Sequence, residues 1–62
     1  MTVGEKLRQH RGHLTQEEVA TQIGITKSAY AMYERDQRKP RDEVKVKLAK
    51  FYGVSVEALF FQ

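Results

Sequence analysis

The stretch that decides the fold is "VATQIGITKSAYAMYE", residues 19–34. Val19, Ala20 and Ile23 form one apolar stripe at helical spacing, and the stripe stops at Gly24. Gly24 suits the left-handed residue just past a helix, and Ile25 suits the apolar position after it. Thr26 then has the chemistry of an N-cap, and Ile25 with Tyr30 has the spacing of a hydrophobic staple. The pattern predicts two short helices joined by a three-residue turn containing Gly, the sequence form of a helix-turn-helix.

The flanks read as further short helices. Thr2 with Glu5 makes a capping box that opens a first helix over roughly residues 2–11, with Val3, Leu7 and His10 on one face and Gly12 as its stop. Thr15 with Glu18 makes a second box, and Leu14 with Val19 a staple, so the second helix starts at Gln16. Pro40 in "RDQRKPRD" lacks an N–H and disfavours helix before it, which predicts a loop over residues 36–41. Asp42 is the expected cap of a fourth helix running to Tyr52, with Val44, Leu48, Phe51 and Tyr52 as its apolar face. Gly53 stops it, and Ser55 caps a short last helix. No segment alternates with a period of two between hairpin turns. The expectation is an all-α, five-helix fold, with residues 1–62 forming one domain.

On the third helix, Thr26, Ala29, Tyr30 and Tyr33 share the side expected to face the core. Lys27, Ser28, Ala31, Met32 and Arg35 occupy the opposite side. That side combines long donors, a hydroxyl, a methyl-sized residue and a Met. A DNA major groove about 12 Å wide admits a helix and offers acceptors, donors and thymine methyls. Lys27 suits guanine O6 and N7, Ser28 several base edges, and Ala31 or Met32 a thymine methyl. Met32 suits gap-filling in a core equally well. Thr15 and Gln16 stand at the start of the second helix, where unpaired N–H groups and the helix dipole favour a phosphate. The Gln16 amide also fits an adenine edge. Arg35, Arg38, Lys39 and Arg41 lie at or beyond the end of the third helix, placed to follow a phosphate backbone.

Composition is compatible with this. The 62 residues carry 11 Lys and Arg against 8 Asp and Glu, a formal charge of +3. Residues 35–50 hold seven basic and three acidic side chains. On charge alone a solvated surface explains that strip better than a ligand does; a polyanionic partner becomes the better reading once the turn is taken into account. With no Cys there is no disulfide or thiolate metal site. His10 and His13 alone make a poor metal site, so no metal or other cofactor is expected. No apolar run approaches the ~20 residues of a membrane span, and no secretion signal is read in the first residues. A cytoplasmic location is expected, and a small-molecule ligand is not.

The segments "VGEKLRQHRG", "LTQEEVATQIGITKSAYAMYE" and "LAKFYGVSVEALF" together resemble the lambda-repressor-like, Xre/Cro-type helix-turn-helix regulators. The resemblance covers nearly the whole chain. It implies a regulator of transcription, a repressor by preference, that binds double-stranded operator DNA as a two-fold homodimer on a palindromic site. It assigns base reading to Lys27, Ser28 and Met32, phosphate or base contact to Gln16, and a structural ion pair to Arg11 and Glu34. Phe60 and Phe61 are the candidate dimer contact, one of them being needed in the core. The chain departs from the family at "ERDQRKP", where Asp36 stands at a Gly position, and at His10, where Leu is common and a core-edge ring is expected.

An enzyme is not expected, because no Gly-rich phosphate loop or catalytic spacing occurs. The rival reading is a helix-turn-helix-derived protein-interaction module or antitoxin subunit.

Overall fold

Local capping chemistry places the helices. In the computed structural model, which describes residues 1–61, the order is α1 (Val3–Arg11), α2 (Gln16–Ile23), α3 (Lys27–Glu34), α4 (Asp42–Tyr52) and α5 (Val56–Phe60). Gln62, the end of the expected domain, lies outside the described residues. Both capping boxes form. Thr2 Oγ1 accepts from the Glu5 N–H at 3.1 Å while Glu5 accepts from the Thr2 N–H at 2.8 Å. Thr15 and Glu18 repeat this at 3.0 and 2.8 Å. Thr26 caps α3 through the Ala29 N–H, and Ser55 caps α5 through the Ala58 N–H.

The helix exits are equally local. Gly24 has φ 77°, and the N–H groups of Gly24 and Ile25 close back on Thr21 and Ala20 at 3.3 and 2.9 Å. This pair of bonds is a Schellman closure, which satisfies carbonyls that the helix end would otherwise leave bare. Gly53 and Val54 close α4 in the same way. At the end of α3 the left-handed residue is Asp36, with φ 58°, and its closure runs from Asp36 to Tyr33 and from Gln37 to Met32.

Leu7, Val19, Ala20, Ile23, Tyr30, Tyr33, Leu48 and Leu59 form the buried core. α1 and α2 both pack on α3, and α5 lies against α1 and α4. Inside, the Tyr30 and Tyr52 hydroxyls meet at 2.6 Å, which satisfies two polar groups within an apolar setting.

Several expectations are corrected. Asp42 is not the cap of α4. The Arg41 carbonyl already accepts from the Lys45 N–H at 2.9 Å, so Arg41 is the cap residue and Asp42 the first helical one. No side chain caps this helix; Asp42 and Glu43 instead place negative charge in its first turn, where the dipole favours it. Thr26 is exposed rather than core-facing, because its hydroxyl is used as the cap. His10, by contrast, sits at the core edge as expected: it is exposed, and its ring stacks on the half-buried Tyr52 with centroids 5.5 Å apart. Phe51 is 37% exposed. The α4 stripe is wider than the surface that α1, α2 and α5 cover, so Phe51 borders a crevice with Leu14 and Thr21 instead of filling the core. The expectation that one of the two terminal aromatics packs against the core holds: Phe60 does so, and Phe61 remains 66% exposed.

One core feature was not anticipated. Gly4 is buried in α1, and a Cβ built there would stand 2.2 Å from the Glu34 carbonyl oxygen. The obstacle is backbone, so it cannot rotate aside. Gly4→Ala gains about 1 kcal/mol of helix propensity, but the forced separation of α1 from the end of α3 outweighs it. The expected net result is a loss of about 2 kcal/mol or more, seen in thermal unfolding as a fall on the order of 10 °C.

Candidate nucleic-acid interface

The outward side of α3 is set by what its inward side must bury. Tyr30 and Tyr33 point into the core, so Lys27, Ser28 and Arg35 are exposed, and Ala31 and Met32 are half-buried. With Gln16 from α2 these residues line one shallow groove. Met32 is therefore neither a core residue nor fully free; it forms part of the groove floor. Thr15, Arg11 and Lys27 border an adjoining depression at the start of α2.

Arg38, Lys39 and Arg41 are not in this groove. They stand exposed on the loop beyond α3, and their side chains have no ion pair or hydrogen bond with any described residue. Arg38 and Lys39 also border a crevice with Val3, Tyr33 and Phe60. Arg35 is held at its base, its Nε donating to Gln37 Oε1 at 3.1 Å.

Behind the groove lies the ion pair. Arg11 Nε and Nη2 donate to the two carboxylate oxygens of Glu34 at 2.7 and 3.1 Å, a bidentate fork. Arg11 Nη1 donates to the Leu14 carbonyl at 2.8 Å. Glu34 is 2% exposed and Arg11 21%. The Gln16 amide donates to Glu34 Oε1 at 3.0 Å. The Gln16 side chain is thus partly committed to the scaffold, which leaves its remaining amide N–H and its carbonyl oxygen for any other partner. Burial pushes the Glu34 carboxyl upward in pKa, but hydrogen bonds from Arg11, Gln16 and Tyr30 outweigh this and hold it below its ordinary value. The same Glu34 bond raises Arg11.

The Gln16–Glu34 bond and the placement of Gly4 escaped sequence reasoning. A glycine inside the first helix was the available signal, since such a residue costs helix stability and marks a close backbone approach.

A helix-turn-helix family model matches residues 5–59. The chain is similar to RstR, the cryptic phage CTXphi transcriptional repressor of Vibrio cholerae, with 50% identity over 46 residues. That match covers 74% of this chain and 41% of the repressor. It is also similar to MJ0272, an uncharacterized HTH-type transcriptional regulator of Methanocaldococcus jannaschii, with 33% identity over 57 residues, covering 89% of this chain and 86% of the other. The chain spans 41–49% of the length of the longer curated relatives it matches. Among solved structures, the P22 c2 repressor in complex with synthetic operator 9T superposes with a TM-score of 0.92 at 25% identity, covering 98% of this chain and 96% of that one.

The ion pair behind the groove gives a test of the scaffold. Glu34→Gln removes the anion and leaves Arg11 without its counter-charge. The expected cost near neutral pH is ~3 kcal/mol, the lower end for a buried pair, because Arg11 keeps part of its side chain in water. The folded-state pKa of Glu34 lies below its ordinary value of 4.5, so its contribution is complete above that value and lost as pH falls through the lowered one. In urea unfolding across a pH series, the gap between wild type and variant should begin to close as pH falls towards 4.5 and go on closing at lower pH, as Glu34 protonates in the folded state.

Proposed function

Since this chain belongs to the lambda-repressor-like helix-turn-helix family, we propose that it binds duplex DNA sequence-specifically and regulates transcription as a repressor. The supporting observation is the open face of α3, where Lys27 and Ser28 stand in solvent beside the half-buried Ala31 and Met32. A helix presented in this way fits the major groove. The family relationship, the repressor named among the relatives and the operator-bound neighbour support the same reading.

In this reading Lys27 and Ser28 read base edges, while Ala31 and Met32 make apolar contact with thymine methyls. The first turn of α2, with Thr15 and the free part of the Gln16 amide, meets a phosphate. Arg35, Arg38, Lys39 and Arg41 follow the backbone on the far side of α3. Arg38, Lys39 and Arg41 have no side-chain partner among the described residues, which suits a role in which phosphates supply the counter-charge. The whole of residues 1–62 acts as one DNA-binding domain. Phe61, exposed at the end of α5, is the better candidate for a two-fold contact, since Phe60 is already engaged with the core. Such a homodimer would set two copies of α3 about 34 Å apart on a palindromic operator. No helix among the described residues is long and apolar enough to cross a membrane, which is compatible with a cytoplasmic regulator.

Duplexes selected from a random pool test this reading. Lys27→Ala and Ser28→Ala should each cost ~1–3 kcal/mol of discrimination between the selected site and its base-substituted variants. Arg38→Ala and Lys39→Ala should weaken all duplexes alike, each lowering the slope of log affinity against log salt by about 1. Unchanged site preference after Lys27, Ser28 and Met32 are all made Ala would rule out α3 as the reader. Absence of any duplex binding at low salt would favour a protein-interaction module.

A further inference from the structure

The loop that carries Arg38, Lys39 and Arg41 leaves α3 through an unusual corner. Asp36 occupies the left-handed position of the Schellman closure, φ 58°, where glycine is the usual residue. An L side chain is disfavoured there, although Asp is among the better tolerated. Its side chain is not idle. Asp36 Oδ1 accepts from the Gly4 N–H at 2.9 Å, a bond between residues 32 positions apart.

Gly4 lies in the first turn of α1, and its N–H is among those a helix cannot satisfy internally. Thr2 is already committed to the Glu5 N–H, so Asp36 satisfies the Gly4 donor from outside the helix. The absence of a side chain on Gly4 is part of the arrangement. A Cβ there would stand 2.9 Å from Asp36 Oδ2 as well as against the Glu34 carbonyl. The Thr2 hydroxyl and the Gly4 N–H, with the charge of Arg8 nearby, hold the Asp36 carboxyl below its ordinary pKa.

At the other end of the loop, Pro40 is buried and fixes the entry to α4. Between these two anchors Gln37, Arg38 and Lys39 are exposed. Asp36 is also the one acidic side chain in residues 35–41, where a negative charge opposes a polyanion. Its electrostatic effect on DNA binding and its mechanical effect therefore have opposite signs, and this makes them separable.

We propose that Asp36 is a positioning residue for DNA binding: by clasping the first turn of α1 it holds the Arg38–Lys39 loop in place before any duplex arrives. This rests on the DNA-binding reading given above. The clasp spares the complex the ordering of loop backbone that would otherwise accompany association.

Two substitutions separate the effects. Asp36→Gly keeps the left-handed corner without strain and deletes the clasp together with the charge. Asp36→Asn keeps an acceptor for Gly4 and deletes only the charge. Affinity for random and selected duplexes is measured well below each variant's unfolding temperature, so that lost stability alone does not register. Asp36→Gly should bind both kinds of duplex about tenfold more weakly, the cost of ordering roughly one further residue on binding. Asp36→Asn should bind as tightly as wild type or a few-fold more tightly. Wild-type affinity or better in Asp36→Gly would overturn the proposal and leave the DNA-binding reading intact. Failure of the wild type to bind any duplex at low salt would overturn both. Native-state hydrogen exchange supplies a readout that does not need Asp36→Gly to fold. The Gly4 amide should be protected in wild type and in Asp36→Asn, and an unprotected Gly4 in wild type would overturn the clasp.

Discussion

The Glu34 carboxylate is the constraint on which the rest of this small domain depends. It is an ionised group in a place water barely reaches, and such a group is tolerated only when its oxygens are fully engaged. One fork comes from Arg11 on α1 and one amide from Gln16 on α2. Glu34 itself belongs to α3, so satisfying one side chain fixes three helices relative to one another. Its backbone is constrained as well, because the Glu34 carbonyl passes directly over Gly4. α1 therefore grips the end of α3 twice, once through charge and once through contact. With Tyr30 and Tyr33 turned inward, Lys27, Ser28 and Arg35 on the opposite face of α3 are left exposed, and Ala31 and Met32 only half-covered.

The parts of this arrangement that were legible in the sequence are those written in a few consecutive residues. Thr2 with Glu5, Thr15 with Glu18, Thr26 and Ser55 predict helix starts because a cap concerns groups within three residues of each other. Gly24 and Gly53 predict exits for the same reason. Asp42 shows the limit of that logic: a residue able to cap was present, but Arg41 took the position and left the helix uncapped by any side chain. Burial was less legible than capping. Periodicity puts Phe51 and His10 on the correct faces, yet the amount of covering surface depends on how wide the neighbouring helices are. The Arg11–Glu34 pair was expected from family resemblance and not from spacing. The bonds of Gln16 to Glu34 and of Asp36 to Gly4 join distant positions, and nothing local announces them.

The cationic side chains divide into two kinds. Arg11 is spent on the scaffold and is neutralised by Glu34. Lys45 lies 3.9 Å from Asp42 and over the rings of Phe60 and Phe61. Arg38, Lys39 and Arg41, by contrast, concentrate unneutralised charge on one short loop. A net charge of +3 understates this local asymmetry, because residues 35–41 carry Arg35, Arg38, Lys39 and Arg41 against Asp36 alone. The field of the molecule is more polarised than its composition.

The left-handed corners carry an implication for how this backbone can vary. A Cβ at Gly24 or Gly53 would meet nothing within 4 Å. Room is therefore not what reserves these positions for glycine; the handedness of the amino acids is. Asp36 shows that an L residue can hold the same conformation when its side chain finds a tether elsewhere in the molecule. Replacement of glycine at the other corners is thus a matter of gaining a distant bond rather than of clearing space, and sequence drift there is coupled to residues far along the chain.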